Sequence, residues 1–194
     1  MAKVKGPLFS LSASGQIAKT LVYMTWKGID DVRKYVIPAN PNTAAQQTQR
    51  GYFAAAVDEW HTDGFTALDV AAWNLYALAL KVAQSGFNVC IKLKVNAKIL
   101  VHTWIKLVNC LVSAITAVGA TVTIDVASDQ TGILYIGTSK TSMFTEFVGV
   151  FAISEYTFTV TGLSALTKYY FYIKNTVVDE DARTGIYSFS TIAA

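Results

Sequence analysis

YTFTVTGLSALTKYYFYIKN, residues 156–175, is the stretch whose reading decides the fold. Two runs of β-formers flank a turn at Thr161-Gly162-Leu163. Thr157 to Val160 and Tyr169 to Ile173 alternate as half-buried strands do. Period two sends Tyr169 and Phe171 to one face and Tyr170 and Tyr172 to the other. One pair therefore belongs to a core, and the other is a candidate surface patch.

The same pattern recurs on both sides of this pair. Strand signals separated by turn residues fall at 108–116, 121–127, 133–138, 147–151, 156–161, 168–175 and 186–190. Seven short strands within residues 107–194 predict an antiparallel β-sandwich. Upstream, residues 40–106 read as a helical segment. Thr43 is a helix cap with Gln46 at capping-box spacing, and the first helix is expected over 44–60, with Phe53, Ala56, Val57 and Trp60 on one stripe. Thr66 caps a second helix, with Asp69 in the reciprocal position, and Ser85-Gly86 stops it near Gln84. That helix is apolar on nearly all sides (Leu68, Ala72, Leu75, Ala79 and Val82; Trp73, Tyr76 and Leu80), so it is expected to be buried, partly by a partner chain. A short third helix is expected over 90–100. Residues 1–39 read as an extended arm and a hairpin, with strands over 17–26 and 32–37 turning at Lys27-Gly28. The predicted class is α+β: hairpin arm, small helical segment, immunoglobulin-like sandwich.

Composition narrows the function. The chain is 53% hydrophobic and only 15% charged, against roughly 25% charged in ordinary soluble domains, so it must bury much surface in a core or against partners. A net charge of +3 is too weak for a nucleic-acid footprint, and Arg50 is the only cation over 44–60, so an HMG-box-like reading fails. The distribution says more. Residues 1–50 carry seven Lys/Arg against Asp30 and Asp31, and residues 119–194 carry four Lys/Arg against seven Asp/Glu, so opposite ends of two subunits can attract. Solvated surface is the simpler reading of the same numbers. The apolar stretch at 99–118 is broken by His102, Lys106 and Asn109 and does not read as a membrane span. The start of the chain lacks a signal-length apolar run. Cys90 and Cys110 follow no metal or redox spacing; they read as buried thiols in a reducing cytoplasm, one disulfide being the alternative.

Catalytic patterns are missing. His61 and His102 have no Cys or carboxylate at metal spacing, and His61 suits the end of a helix. Gly137-Thr138-Ser139-Lys140 lacks the upstream glycine and the helix of a phosphate loop. Asp179-Glu180-Asp181 reads as solvated loop charge, because three adjacent acids cannot converge on one cation. No catalytic residue, cofactor or metal is expected. Pro38 and Pro41 stiffen the approach to the first helix, and Gln46, Gln49 and Arg50 lie on neighbouring turns, which suits contact with another chain.

Residues 107–194 resemble a fibronectin type III or related immunoglobulin-like domain. The resemblance rests on Thr161-Gly162-Leu163, on Leu166-Thr167-Lys168-Tyr169-Tyr170-Phe171 and on Ser188-Phe189-Ser190-Thr191. It implies that Leu163 plugs the sandwich and Tyr169 makes the strand-corner contact. The chain departs from the family at Ile133-Leu134-Tyr135, where a core Trp often lies. The first hundred residues resemble a group of bacteriophage virion proteins. Here the residues are Trp26-Lys27-Gly28, Arg33, Pro38-Ala39-Asn40-Pro41-Asn42-Thr43, Gln46 and Arg50, then Trp60, Trp73 and Ser85-Gly86-Phe87-Asn88. This resemblance implies a virion structural part assembled in a bacterial cytoplasm. Its partners would be itself and a major capsid or tail protein, with neither nucleic acid nor membrane bound. The expected subunit contacts are Trp26, Arg33, Asn40, Thr43, Gln46 and Arg50. A head decoration role is the first expectation and a tail or connector part the second. A host-surface or glycan adhesin, using Tyr170 and Tyr172, is the competing class.

Overall fold

The computed structural model describes residues 15–27, 29–37, 42–81, 83–128, 132–175, 177 and 180–194, without the side chains of Trp26 and Asp30. The chain divides into two compact units, Met1–Thr43 and Ala44–Ala194.

In the first unit, β1 (Gly15–Ile17), β2 (Leu21–Trp26) and β3 (Ile29–Lys34) form an antiparallel meander. This corrects the two strands expected from sequence. The run over 17–26 is broken at Ala18-Lys19-Thr20: Ala18 and Lys19 take φ of 45° and 53°, and the Thr20 N–H closes the turn on the Ile17 carbonyl at 2.9 Å. Neither residue type signals left-handed backbone, so the turn was hidden. The next strand starts at Ile29 rather than Val32, because Trp26 pairs with Ile29 and the ladder runs on to Leu21 opposite Lys34. Lys27, at φ 52°, supplies the positive φ that tight hairpin turns require. The arm before Gly15 lies outside the described residues.

The second unit opens with α1 (Ala44–Thr62), α2 (Ala67–Ala79) and α3 (Gly86–Leu100). The capping box of α2 forms as its sequence predicts: the Asp69 N–H donates to Thr66 Oγ1 at 3.3 Å, and the Thr66 N–H donates to Asp69 Oδ2 at 2.8 Å. The helix ends earlier than expected, at Ala79, and Lys81 turns the chain at φ 55°. The third helix starts earlier, at Gly86 rather than Cys90. Ser85 caps it by accepting from the Asn88 N–H, and the Gly86 N–H donates to Asn74 Oδ1 at 2.9 Å. A Cβ on Gly86 would overlap the Trp73–Asn74 peptide, so glycine here lets the two helices touch. Two buried clusters bind the helices together: Trp73, Ala77, Val89 and Cys90, and Ala56, Ile91 and Val95.

The strands follow as β4 (Thr103–Trp104), β5 (Leu107–Ser113), β6 (Gly119–Val126), β7 (Ile133–Gly137), β8 (Thr145–Val148), β9 (Val150–Ala152), β10 (Glu155–Thr161), β11 (Lys168–Lys174), β12 (Glu180–Asp181) and β13 (Tyr187–Ser190). Two four-stranded antiparallel sheets, β5-β6-β10-β9 and β13-β11-β7-β8, share one core. Val122, Ile124 and Phe158 of one sheet and Leu134, Phe171 and Ile173 of the other are almost wholly excluded from solvent. The fold is α+β with an antiparallel immunoglobulin-like sandwich. The single strand expected over 147–151 is two strands, one in each sheet. Gly149 permits the crossing, since a Cβ there would come within 2.7 Å of the Phe158 ring. Leu163 is buried in the core, and Leu134 fills the core in the segment where a Trp was sought. The Tyr169 hydroxyl accepts from the Ser164 N–H at 2.8 Å, the corner contact that the sandwich resemblance implied.

Helix α2 joins the helices to the sandwich, so residue 107 begins a change of architecture inside one unit. Ala72 belongs to the sandwich core, and its carbonyl accepts from the Ile186 N–H at 2.9 Å. Asp69, fully buried, accepts from the Tyr187 hydroxyl at 2.5 Å and from the N–H groups of Asn109 at 2.9 Å and Cys110 at 3.4 Å. A Cβ on Gly185 would overlap the Ala72–Trp73 peptide.

Candidate interaction surface

The residues expected to make subunit contacts fall on both units. Trp26 ends β2 opposite Ile29. Arg33 is exposed on β3, opposite Val22, and lines a shallow cavity of about 550 Å³ with Gln16, Lys34, Tyr35 and Val36. Asn40 lies outside the described residues. Thr43 is exposed and immediately precedes α1; Gln46 and Arg50 are exposed one turn apart on that helix. Residues 42–51 are exposed without interruption. Arg33 thus adjoins Lys34 on the first unit, and Gln46 lies one turn from Arg50 on the second.

The hairpin unit is chemically simple. None of its described side chains is buried, and Ile17, Leu21, Ile29, Val36 and Ile37 are exposed apolar groups on it. Exposed apolar side chains also stand on the second unit, at Phe53, Leu68 and Leu78 on the helices and at Phe144, Val148, Val150 and Ile153 on the sandwich. Tyr170 and Tyr172 are half-buried on the outer face of β11, while Tyr169 and Phe171 are in the core, as alternation requires. Tyr172 is covered on one side, stacked on Tyr135 with ring centroids 4.9 Å apart.

Several titratable groups serve the structure. No cluster of three or more His, Cys, Asp or Glu that could hold a metal exists among the described residues, and none of the described helices is long and apolar enough to cross a membrane. His61 sits in the last turn of α1. The carboxylates at 180 and 181 are half-buried rather than solvated: β12 pairs in parallel with β4, and Asp181 Oδ2 lies 3.1 Å from His102 Nδ1. Cys90 and Cys110 are free and buried. Burial pushes the Cys90 thiol up to about 12 against the opposing charge of Lys94, and burial plus Asp69 pushes Cys110 higher still.

Three polar arrangements escaped the sequence reading. Asp69 was read as a helix cap only; its contact with Tyr187 spans 118 residues and has no local signal. Lys94, fully buried, pairs with Asp63 and with Glu59 at 3.4 Å, and Lys98 reaches Glu59 at 2.6 Å. The sign of this cluster was legible in Asp58-Glu59 and Asp63, but its burial was not. Arg183 lies between two rings, its guanidinium carbon 4.2 Å from the Tyr76 centroid and 4.3 Å from that of Tyr172.

No family model and no curated protein matches the chain. Among solved structures, a computationally redesigned β-sandwich protein is 23% identical, covering 45% of this chain and 95% of its own length, with a TM-score of 0.36. A fibronectin type III domain derived from the human KIAA0970 protein is 14% identical, covering 51% of this chain and 80% of its own, with a TM-score of 0.33. Both likenesses are too distant to carry argument. The assignment of a fibronectin-like, immunoglobulin-like sandwich rests on the strand order and the Tyr169 corner.

Proposed function

We propose that this chain is a non-enzymatic structural protein of a bacteriophage virion, working by subunit–subunit contacts and fitting best as a head decoration or accessory coat protein. One observation carries the assembly part of this reading: a three-stranded hairpin unit without a buried side chain among its described residues, bearing five exposed apolar groups and a basic pair, Arg33 and Lys34. Small sheets of this kind are marginal in water unless a hydrophobic face is covered. Its positive charge complements the acidic balance of residues 119–194 on a second copy or on a coat neighbour. The phage part rests on the Trp26-Lys27-Gly28 and Pro38-to-Arg50 resemblance. A tail or connector position uses the same contacts.

Light scattering of the full chain, alone and mixed with expanded phage capsids or tails, tests this. Expected are self-association or particle binding that Arg33→Glu weakens and Arg50→Glu weakens, with the fold unchanged by circular dichroism. A monomer at high concentration that binds neither particle overturns the reading.

A further inference from the structure

A groove of about 360 Å³ opens between α2 and the sandwich, a volume suited to a small molecule. Its walls are Tyr76, Ala79 and Leu80 on the helix side, Met143 and Phe144 from the loop before β8, and Tyr172 with Arg183 at the base. The unusual member is Arg183. Both rings that flank it take up its faces, while its N–H donors lie in the guanidinium plane and point to the edge. Its Nε is screened from solvent and has no acceptor among the described residues, so a ligand entering the groove would meet the terminal Nη groups of this half-buried arginine. Their side-by-side N–H donors form a planar fork that matches a carboxylate.

The surroundings agree in sign. Lys140 stands exposed at the groove's rim, and the lining residues contain no Asp or Glu. Two cations therefore face a cavity without an internal counter-charge among the described residues. Thr141 adds a hydroxyl, the other walls are aromatic or aliphatic, and Phe144 is 84% exposed, an open ring face. A dianion such as phosphate would lose much hydration against these walls, whereas a single carboxylate on an apolar or CH-rich ring would match both halves of the groove.

We propose that this groove binds a carboxylate carried on a ring-shaped body, with Arg183 pairing with the carboxylate, Lys140 adding charge at the rim and Phe144 covering the ring. An acidic sugar and an aromatic acid present the same chemistry. The site is independent of the hairpin contacts and of where in a particle the protein stands.

The test is a titration of the full ¹⁵N-labelled chain with glucuronate, benzoate, glucose and inorganic phosphate, following the Arg183 Nε–Hε resonance. That resonance is identified by its loss in Arg183→Lys. Saturable shifts with glucuronate but not glucose support an acidic-sugar site; shifts with benzoate alone support an aromatic-acid site. Arg183→Lys should weaken binding about tenfold or more, because an ammonium cannot form the fork. Lys140→Glu, an exposed change that leaves the rings untouched, should weaken it about threefold or more. If Arg183→Lys fails to fold, Lys140→Glu decides alone. The proposal is overturned by silence to both carboxylates at concentrations on the order of 10 mM. Phosphate binding as tightly as the carboxylates, or affinity unchanged in the folded variants, overturns it equally.

Discussion

Replacing Asp69 with alanine should cost far more than the loss of a helix cap. Its carboxyl accepts from the Thr66 N–H and hydroxyl, the Asn109 and Cys110 N–H groups and the Tyr187 hydroxyl. The two Thr66 donors lie near a helix start, where water can replace the carboxyl, so the cap contributes about 1 kcal/mol. The Tyr187 hydroxyl and Cys110 N–H are buried, and each orphaned donor costs about 1–3 kcal/mol. Together these give a destabilisation on the order of 4 kcal/mol, or a fall in Tm of roughly 8–16 °C for a unit of this size. Tyr187→Phe removes the donor along with the bond but leaves the buried Asp69 Oδ1 with only the 3.4 Å Cys110 N–H, so it should cost about 1.5–3 kcal/mol. The double variant should therefore cost less than the sum by about 1–2 kcal/mol, since no hydroxyl is left stranded. Urea unfolding followed by tryptophan fluorescence measures all three. A cost for Asp69→Ala below about 1 kcal/mol, or strict additivity with Tyr187→Phe, would refute the idea that this carboxyl joins the helices to the sandwich.

Val101, at φ 63° and 86% exposed, holds a left-handed helix end with a β-branched side chain. Val101→Gly should relieve that strain without loss of packing and stabilise by about 0.5–1 kcal/mol, read from the same urea curves. Glu59 is drawn upward in pKa by burial, but the Lys98 hydrogen bond and the Lys94 and Lys98 charges outweigh this and hold it below its ordinary 4.5. A depressed folded value means its contribution is complete above the unfolded value and fades as pH falls through the folded one. Unfolding free energy should decline on acidification below about pH 5, and Glu59→Gln should flatten that part of the profile. Cys90 and Cys110, buried and with raised values, should resist a thiol reagent at pH 8 and react only as the chain unfolds; prompt labelling of either would contradict their burial.

The parts of the fold written in local chemistry were legible. Thr157 to Val160 and Tyr169 to Ile173 alternate, and both become sandwich strands; Thr66 and Asp69 are spaced as a capping box, and the box forms. What failed depended on backbone or distance. The Ala18-Lys19 turn uses positive φ at residues that do not favour it, and the 147–151 run hid a change of sheet that only the close approach of Gly149 to Phe158 explains. For the candidate contacts Arg33, Gln46 and Arg50, what was legible is their exposure, because polar runs stay outside. The Arg183 groove was not, because Tyr76, Tyr172 and Arg183 meet only after helix and sheet have packed.

The bond between Asp69 and Tyr187 also sets a clock. The ribosome adds ~5–20 residues per second, so the 118 residues separating the partners take about 6–24 s to polymerise. Throughout that interval α2 exists without the strand that caps its polar residue and without Ile186 to meet the Ala72 carbonyl. The nascent helices must wait, with the α2 surface destined for the sandwich still in water, and the sandwich cannot close over them until its last strand arrives. Completion of the second unit thus waits until Ile186 and Tyr187 have been made.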